Sequence, residues 1–188
     1  MTAFFPVTTE CPILIGIFDG FSWIRCEGKG SFLNSPAMKV FGDERIAAGE
    51  NCLVVDLGGC TGMDSTFMGT LAGMAARLST HDGGVLQIAD SGSRNRRSLE
   101  DLGLDFLLEI DPPAAIWRGN VDAIRGKLQA PAAAAVPGQL QRTQHVLEAH
   151  QILSETNDKN AREFSTVVKL LENELAGKQQ REEKTKES

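Results

Sequence analysis

The run from Cys52 to Leu78 constrains the fold more than any other part of the chain. Cys52-Leu53-Val54-Val55-Asp56-Leu57 is apolar almost throughout, as a short strand covered on both faces should be. A Gly-rich connection follows, Gly58-Gly59-Cys60-Thr61-Gly62-Met63. Asp64-Ser65-Thr66 then opens a helix that passes through Gly69-Thr70-Leu71-Ala72-Gly73-Met74 to about Leu78. Asp and Ser are favoured at a helix start because their oxygens accept from N–H groups that have no partner inside the helix. The positive end of the helix dipole lies there too, so added negative charge is tolerated. A hydroxyl in that place reads equally as a cap and as a phosphoacceptor, and the residues alone leave both open.

The surrounding sequence supplies the other elements. Ile13 to Phe18 reads as a strand, Asp19-Gly20 as a turn and Ser22 to Glu27 as a second, alternating strand, which together make a hairpin. Asn34 or Ser35 can cap a helix with Pro36 at its first position and Ala37, Val40, Phe41 and Ile46 along one face. After Leu78 come a strand at Val85 to Ala89, a short helix from Arg94 to Leu102 and a last strand at Asp105 to Ile110. The order β-β-α-β-α-β-α-β predicts an α/β fold with a mostly parallel or mixed sheet under helical cover.

Asp111-Pro112-Pro113 ends this pattern. Residues 112–138 read as a linker, with Gly119 and Gly126 weakening any helix and a Pro/Ala-rich stretch at its end. Residues 139–176 show helical spacing on both sides of a turn at 155–160, which predicts a helical hairpin. Residues 177–188 form a charged tail expected to fray. Two short helices bury too little surface to stand alone, so the hairpin must pack on the first 111 residues, on a second copy or on a partner.

Composition removes several functions. The net charge of −6 disfavours wholesale nucleic-acid binding, which uses a basic face. No apolar run approaches the roughly 20 residues that span a bilayer, and no secretory signal is visible, so a cytoplasmic location without membrane insertion is the expectation. Cys11, Cys26, Cys52 and Cys60 form no C-x-x-C pair and lie far from His81, His145 and His150, which speaks against a zinc site. Cys26 and Cys52 read as small core residues. The loop at Gly58–Gly62 lacks the Gly-Lys-Ser/Thr ending that grips a nucleotide, and position 66, six after Cys60, is Thr rather than the Arg of a thiol phosphatase. Ser91 to Arg97 makes a small basic patch that reads as a solvated face. His145 and His150, five apart, read as surface residues. No cofactor, metal ligand or catalytic residue is expected.

Val54-Val55-Asp56-Leu57, then Met63-Asp64-Ser65-Thr66 and the small-residue helix Gly69-Thr70-Leu71-Ala72, resemble the STAS domain, named for sulfate transporters and anti-sigma-factor antagonists. Gly30-Ser31-Phe32-Leu33-Asn34-Ser35 is similar to the family's segment before its first helix. The resemblance covers roughly residues 11–111, and it implies a STAS-like mixed β-sheet covered by helices in residues 1–111, with the C-terminal helical hairpin appended. It also implies a non-enzymatic regulator. In bacterial antagonists of this type, a serine kinase that is also the anti-sigma factor phosphorylates the hydroxyl after the conserved Asp, and a PP2C-type phosphatase reverses the modification. Carried over, the acceptor is Ser65, with Thr66 as the alternative, and the partner-binding residues are Asp64, Ser65, Thr66, Phe67, Met68, Asn34 and Ser35. The chain departs from the family where it has Phe67 in place of the usual Gly two residues after the acceptor; Phe67-Met68 then reads either as an exposed contact or as core. The resemblance leaves two roles open: partner switching through Ser65, or an unmodified STAS-type subunit or scaffold of a larger complex, such as a transporter regulator. A homodimer through the hairpin fits either role.

Overall fold

The computed structural model describes residues 12–133 and 136–186. Cys11, the middle of the Ala-rich stretch at Ala134 and Ala135, and the last two tail positions lie outside the described residues.

One sheet holds five strands in the order β1 (Ile13–Phe18), β2 (Phe21–Gly30), β3 (Cys52–Met63), β4 (Val85–Ala89) and β5 (Glu109–Ile110). β1 and β2 are the expected antiparallel hairpin, closed at Gly20, whose φ of 83° suits glycine alone. The remaining neighbours are parallel. Parallel strands need crossovers, and these carry α1 (Ser35–Ala47), α2 (Ser65–Leu78) and α3 (Gly92–Asp101). The side-chain period of two sorts the strands. Ile24, Cys26, Leu53, Val55, Leu57, Leu86 and Ile88 face the helices and pack with Met38, Phe41, Phe67, Leu71, Met74, Leu78 and Leu99. Phe21, Trp23, Val54 and Ala89 face the other way.

Four sequence expectations are corrected. The Gly-rich connection is not a loop: β3 continues to Met63, paired with Glu27–Gly30 of β2 across two register shifts. Residues without side chains let the strand bulge there and keep its ladder. The strand expected at Asp105 to Ile110 is a 3-10 turn, Leu104–Phe106, followed by a two-residue strand. Its buried residues are Leu104 and Leu108, four apart, while Phe106 is 90% exposed, which is the spacing of a turn of helix.

Third, most of the expected linker is a packed strap. Trp117 and Ile124, the latter on the short helix α4 (Val121–Arg125), are buried against the sheet face that carries Trp23. The Trp23 and Trp117 rings meet edge to face at 5.4 Å, and Trp117 Nε1 donates to Gln87 Oε1 at 2.8 Å. Gln129 and Ile15 exchange two backbone hydrogen bonds of 2.8 and 3.0 Å, which ties the strap to the sheet edge. The two glycines shorten the helix without removing these anchors.

Fourth, the hairpin is part of the main body. α5 (Gln139–Thr156) and α6 (Asp158–Lys186) are joined through Asn157 alone. α5 packs on α2, and Leu153 and Phe164 enter the helix-side core. The tail does not fray at 177: α6 runs on to Lys186, helped by Lys178, which contacts Glu174 at 2.5 Å and donates to Thr143 Oγ1 at 2.7 Å. No helix among the described residues is long and apolar enough to cross a membrane.

Candidate functional site

Asp64 builds the start of α2. Its backbone is extended, and its Oδ1 accepts from the Phe67 N–H at 2.8 Å, the expected cap. Its Oδ2 accepts from the Phe32 N–H at 2.8 Å. One carboxylate thus fixes both the helix start and the loop at residues 31–34. That loop also closes on Asn34, whose Oδ1 accepts from the Ser31 N–H and whose amide donates to the Lys29 carbonyl, both at 2.8 Å. Asn34 thus holds the N-cap position of α1, as one of the two expected residues, but its side chain clasps the loop and makes no cap hydrogen bond. Phe32 and Leu33 stay exposed beside it.

Of the first four residues of α2, Ser65 alone keeps solvent exposure. Thr66 is buried, at 4%. Phe67 and Met68 belong to the core, so the reading of this pair as an exposed contact is corrected. The reason is local: Phe67 fills the space over Gly30, where a Cβ would lie 2.9 Å from the ring. Ser35, expected on the partner-binding surface, is fully buried.

Two residues read as surface histidines complete the site. Ser65 Oγ lies 2.9 Å from His150 Nε2, and Ser35 Oγ lies 2.8 Å from His145 Nε2. His150 Nδ1 lies 2.8 Å from the Val146 carbonyl. A carbonyl can only accept, so Nδ1 holds the proton, and in the neutral ring Nε2 accepts from the Ser65 hydroxyl. The His150 ring is 6% exposed and packs edge to face on Phe164 at 5.5 Å. Burial lowers the pKa of His145; nearby Glu148 and Asp64 oppose that shift and Lys39 adds to it. Spacing by five does hide the relation: each histidine meets a different helix start, α1 or α2. The legible hint was that a hairpin unable to fold alone has to cover something.

Backbone approach makes this possible. A Cβ on Gly69 would overlap the Ala149 carbonyl, and one on Gly73 would come within 2.8 Å of Ile152 Cδ1. The small residues of α2 are thus the seat of α5.

Asp56 stands on the opposite face of the sheet. It is fully buried and accepts from Arg125 Nε at 2.8 Å, Arg125 Nη2 at 2.9 Å, Arg25 Nη1 at 2.7 Å, the Gly58 N–H at 2.9 Å and Trp23 Nε1 at 3.3 Å. Burial alone would raise its pKa, but Arg125, the Gly58 N–H and Arg25 outweigh burial and hold it below the usual range. It organises strap and sheet. Cys60 donates to the Gly62 carbonyl at 3.3 Å, and no cluster of metal-ligating side chains occurs among the described residues.

No family model matches the chain, and no curated protein matches it. Among solved structures, the chain is similar to the anti-sigma factor antagonist SpoIIAA in its unphosphorylated form, at 18% identity over 60% of this chain and 96% of that one, with a TM-score of 0.46. It is similar to the Bacillus cell fate determinant SpoIIAA in the phosphorylated form, at 16% identity over 60% and 99%, with a TM-score of 0.47. It is also similar to an anti-sigma factor antagonist from Mycobacterium paratuberculosis, at 22% identity over 61% and 91%, with a TM-score of 0.48. These are likenesses of fold, and no partner or modification transfers with them. The element order and the mixed sheet covered by helices are the α/β architecture expected from the sequence, with the C-terminal hairpin built onto its helix face.

Proposed function

We propose that the chain is a regulatory protein-binding domain of the anti-sigma-factor-antagonist type, without catalytic activity of its own, switched by phosphorylation of Ser65. The observation that carries this reading is the placement of the Ser65 hydroxyl. It is the one side chain in the first turn of α2 left outside the core, next to the capping Asp64 and the exposed Phe32-Leu33 loop. Phosphate there adds about two negative charges in the middle of an apolar contact surface, where it opposes docking while the helix start tolerates it. Thr66, being buried, is the poorer acceptor. The partners of this reading are a serine kinase that doubles as anti-sigma factor and a PP2C-type phosphatase, met in the cytoplasm.

The test is phosphosite mapping by mass spectrometry on the chain isolated from its source cells, with Ser65→Ala alongside. Phosphate on the peptide carrying Ser65, and its loss in the variant, is the expected result. Phosphate found only at other residues, or none under any growth condition, overturns the reading. A fixed adaptor is the second reading. The Ser65–His150 hydrogen bond favours it, since that bond gives the hydroxyl a structural use.

A further inference from the structure

We infer that the α5–α6 hairpin is a cis occupant of the α1–α2 docking surface, and that a phosphate on Ser65 and a seated α5 exclude each other. The inference rests on the reading of Ser65 as the modified residue and adds a gate to it.

Three observations carry it. The first is the tightness of the Ser65 contact. The 2.9 Å between Oγ and His150 Nε2 holds a proton and nothing larger. The ring cannot retreat on its own, because the Val146 carbonyl holds one edge and Phe164 packs against its side. With the Ser65 side chain held as it stands, a phosphate on Oγ displaces the imidazole, and the imidazole moves with α5. The second is the backbone seat. Gly69 receives the Ala149 carbonyl with no room for a Cβ, so this stretch of α2 can take a docked helix, and α5 holds it. A kinase or partner that needs the same face meets α5 there first.

The third observation is that the hairpin is held unevenly. Its far end is pinned: Asn157 Nδ2 and Asn160 Nδ2 both donate to the Leu102 carbonyl, at 3.2 and 2.9 Å. Its near end follows residues 130–133 and 136–138, which carry no helix or strand. The hairpin can therefore swing about Asn157 and free both Ser65 and Ser35 while remaining tethered. Coupling of this kind is reciprocal: phosphate disfavours docking, and loss of docking favours phosphate.

The test is hydrogen exchange read by mass spectrometry on the full chain, comparing the native protein with one in which phosphoserine is encoded at position 65. In the native protein, the amides of α5 exchange at least about tenfold faster than those of Leu53–Leu57, because the hairpin opens without the sheet. With phosphoserine, α5 exchange rises by a further tenfold or so while the Leu53–Leu57 amides stay protected. Unchanged or slower α5 exchange in the phosphoserine protein overturns the inference. Should phosphoserine unfold the sheet as well, Ala149→Leu decides. That variant leaves Ser65 native and forces a bulky group against α2; the inference requires faster α5 exchange with β3 still protected, and joint loss of α5 and β3 protection overturns it. None of these readouts depends on whether cells phosphorylate Ser65, so a failure of the phosphosite mapping and a failure of the gate are told apart.

Discussion

The two faces of the sheet are closed by different physics. On the helix face, α1, α2, α3 and the hairpin bury aliphatic and aromatic side chains in one continuous cluster. On the strap face, a smaller cluster around Trp23 and Trp117 borders a buried carboxylate held by two arginines. The helix face is built from amphipathic elements that pack wherever apolar area matches, so it accepts an added hairpin. The strap face depends on directional bonds to Asp56 and Gln87, so it accepts only the segment that supplies them. This places exchangeable contacts on one side of the molecule and a fixed lock on the other.

The largest expected effect tests the lock. Asp56→Ala leaves Arg25 and Arg125 facing each other without their shared anion. The cost should be about 3 kcal/mol, at the low end for a broken buried pair because both guanidiniums keep some water. Urea denaturation measures it. The pKa of Asp56 is lower in the fold than in the unfolded chain, so its stabilisation is present above about pH 3.9 and is lost as pH falls through the folded value. Acid unfolding of Asp56→Asn should show a shallower dependence in that window. A variant as stable as the parent at neutral pH would erase the distinction between the faces.

Next comes the hairpin. Leu153→Ala removes a fully buried side chain on the inner face of α5 and should cost about 2–3 kcal/mol by urea midpoint. If the helix face is modular, that loss appears first as faster exchange in α5 and α6, with β3 and β4 protected. Uniform loss across the chain would make the hairpin part of one indivisible core.

The same contrast explains what could be read from the sequence. The helix face was legible because its signals are local: the unbroken apolar run Cys52 to Val55, the Asp64 cap, small residues along Gly69 to Met74. The strap was not, because Trp117 and Ile124 lie among Pro112, Pro113, Gly119 and Gly126, which erase any period; what fixes the segment is the distant Asp56, and distance in sequence carries no local mark. The Gly58–Gly62 run is ambiguous in sequence for a related reason, since glycine marks both a loop and a bulged strand. At the site, Asp64 and Ser65 were legible as a helix start. Their partners His145 and His150 were not, because the pairing joins residues 110 and 85 positions apart.

A smaller effect probes the exchangeable contact itself. Ser65→Ala deletes one hydrogen bond and leaves His150 Nε2 without its donor, which should cost about 1 kcal/mol in urea and leave the strap face untouched. Ser65→Asp should weaken binding of whatever protein docks at α2, measured by titration calorimetry once that protein is in hand. A Ser65→Ala variant with unchanged α5 exchange would show that Gly69 and Ala149 hold the hairpin without the hydroxyl.

The smallest effect should come from pH. His145 is held below its ordinary pKa by burial in the hairpin interface, so the fold prefers the neutral ring. The unfolded chain takes up the proton first. The stabilisation is therefore complete above about pH 6.5 and is lost as pH falls through the folded value. Glu148 and Asp64 soften this loss by favouring the charged ring, while Lys39 sharpens it. Exchange rates in α5, corrected for the intrinsic pH dependence of amides, should rise between about pH 7.5 and about pH 5.5 relative to those in β3, and the rise should shrink in His145→Gln. Because Asp56 on the strap face changes charge only at far lower pH, this window loosens one face and leaves the other closed. A corrected rise of the same size in His145→Gln would assign the sensitivity to another group on the helix face.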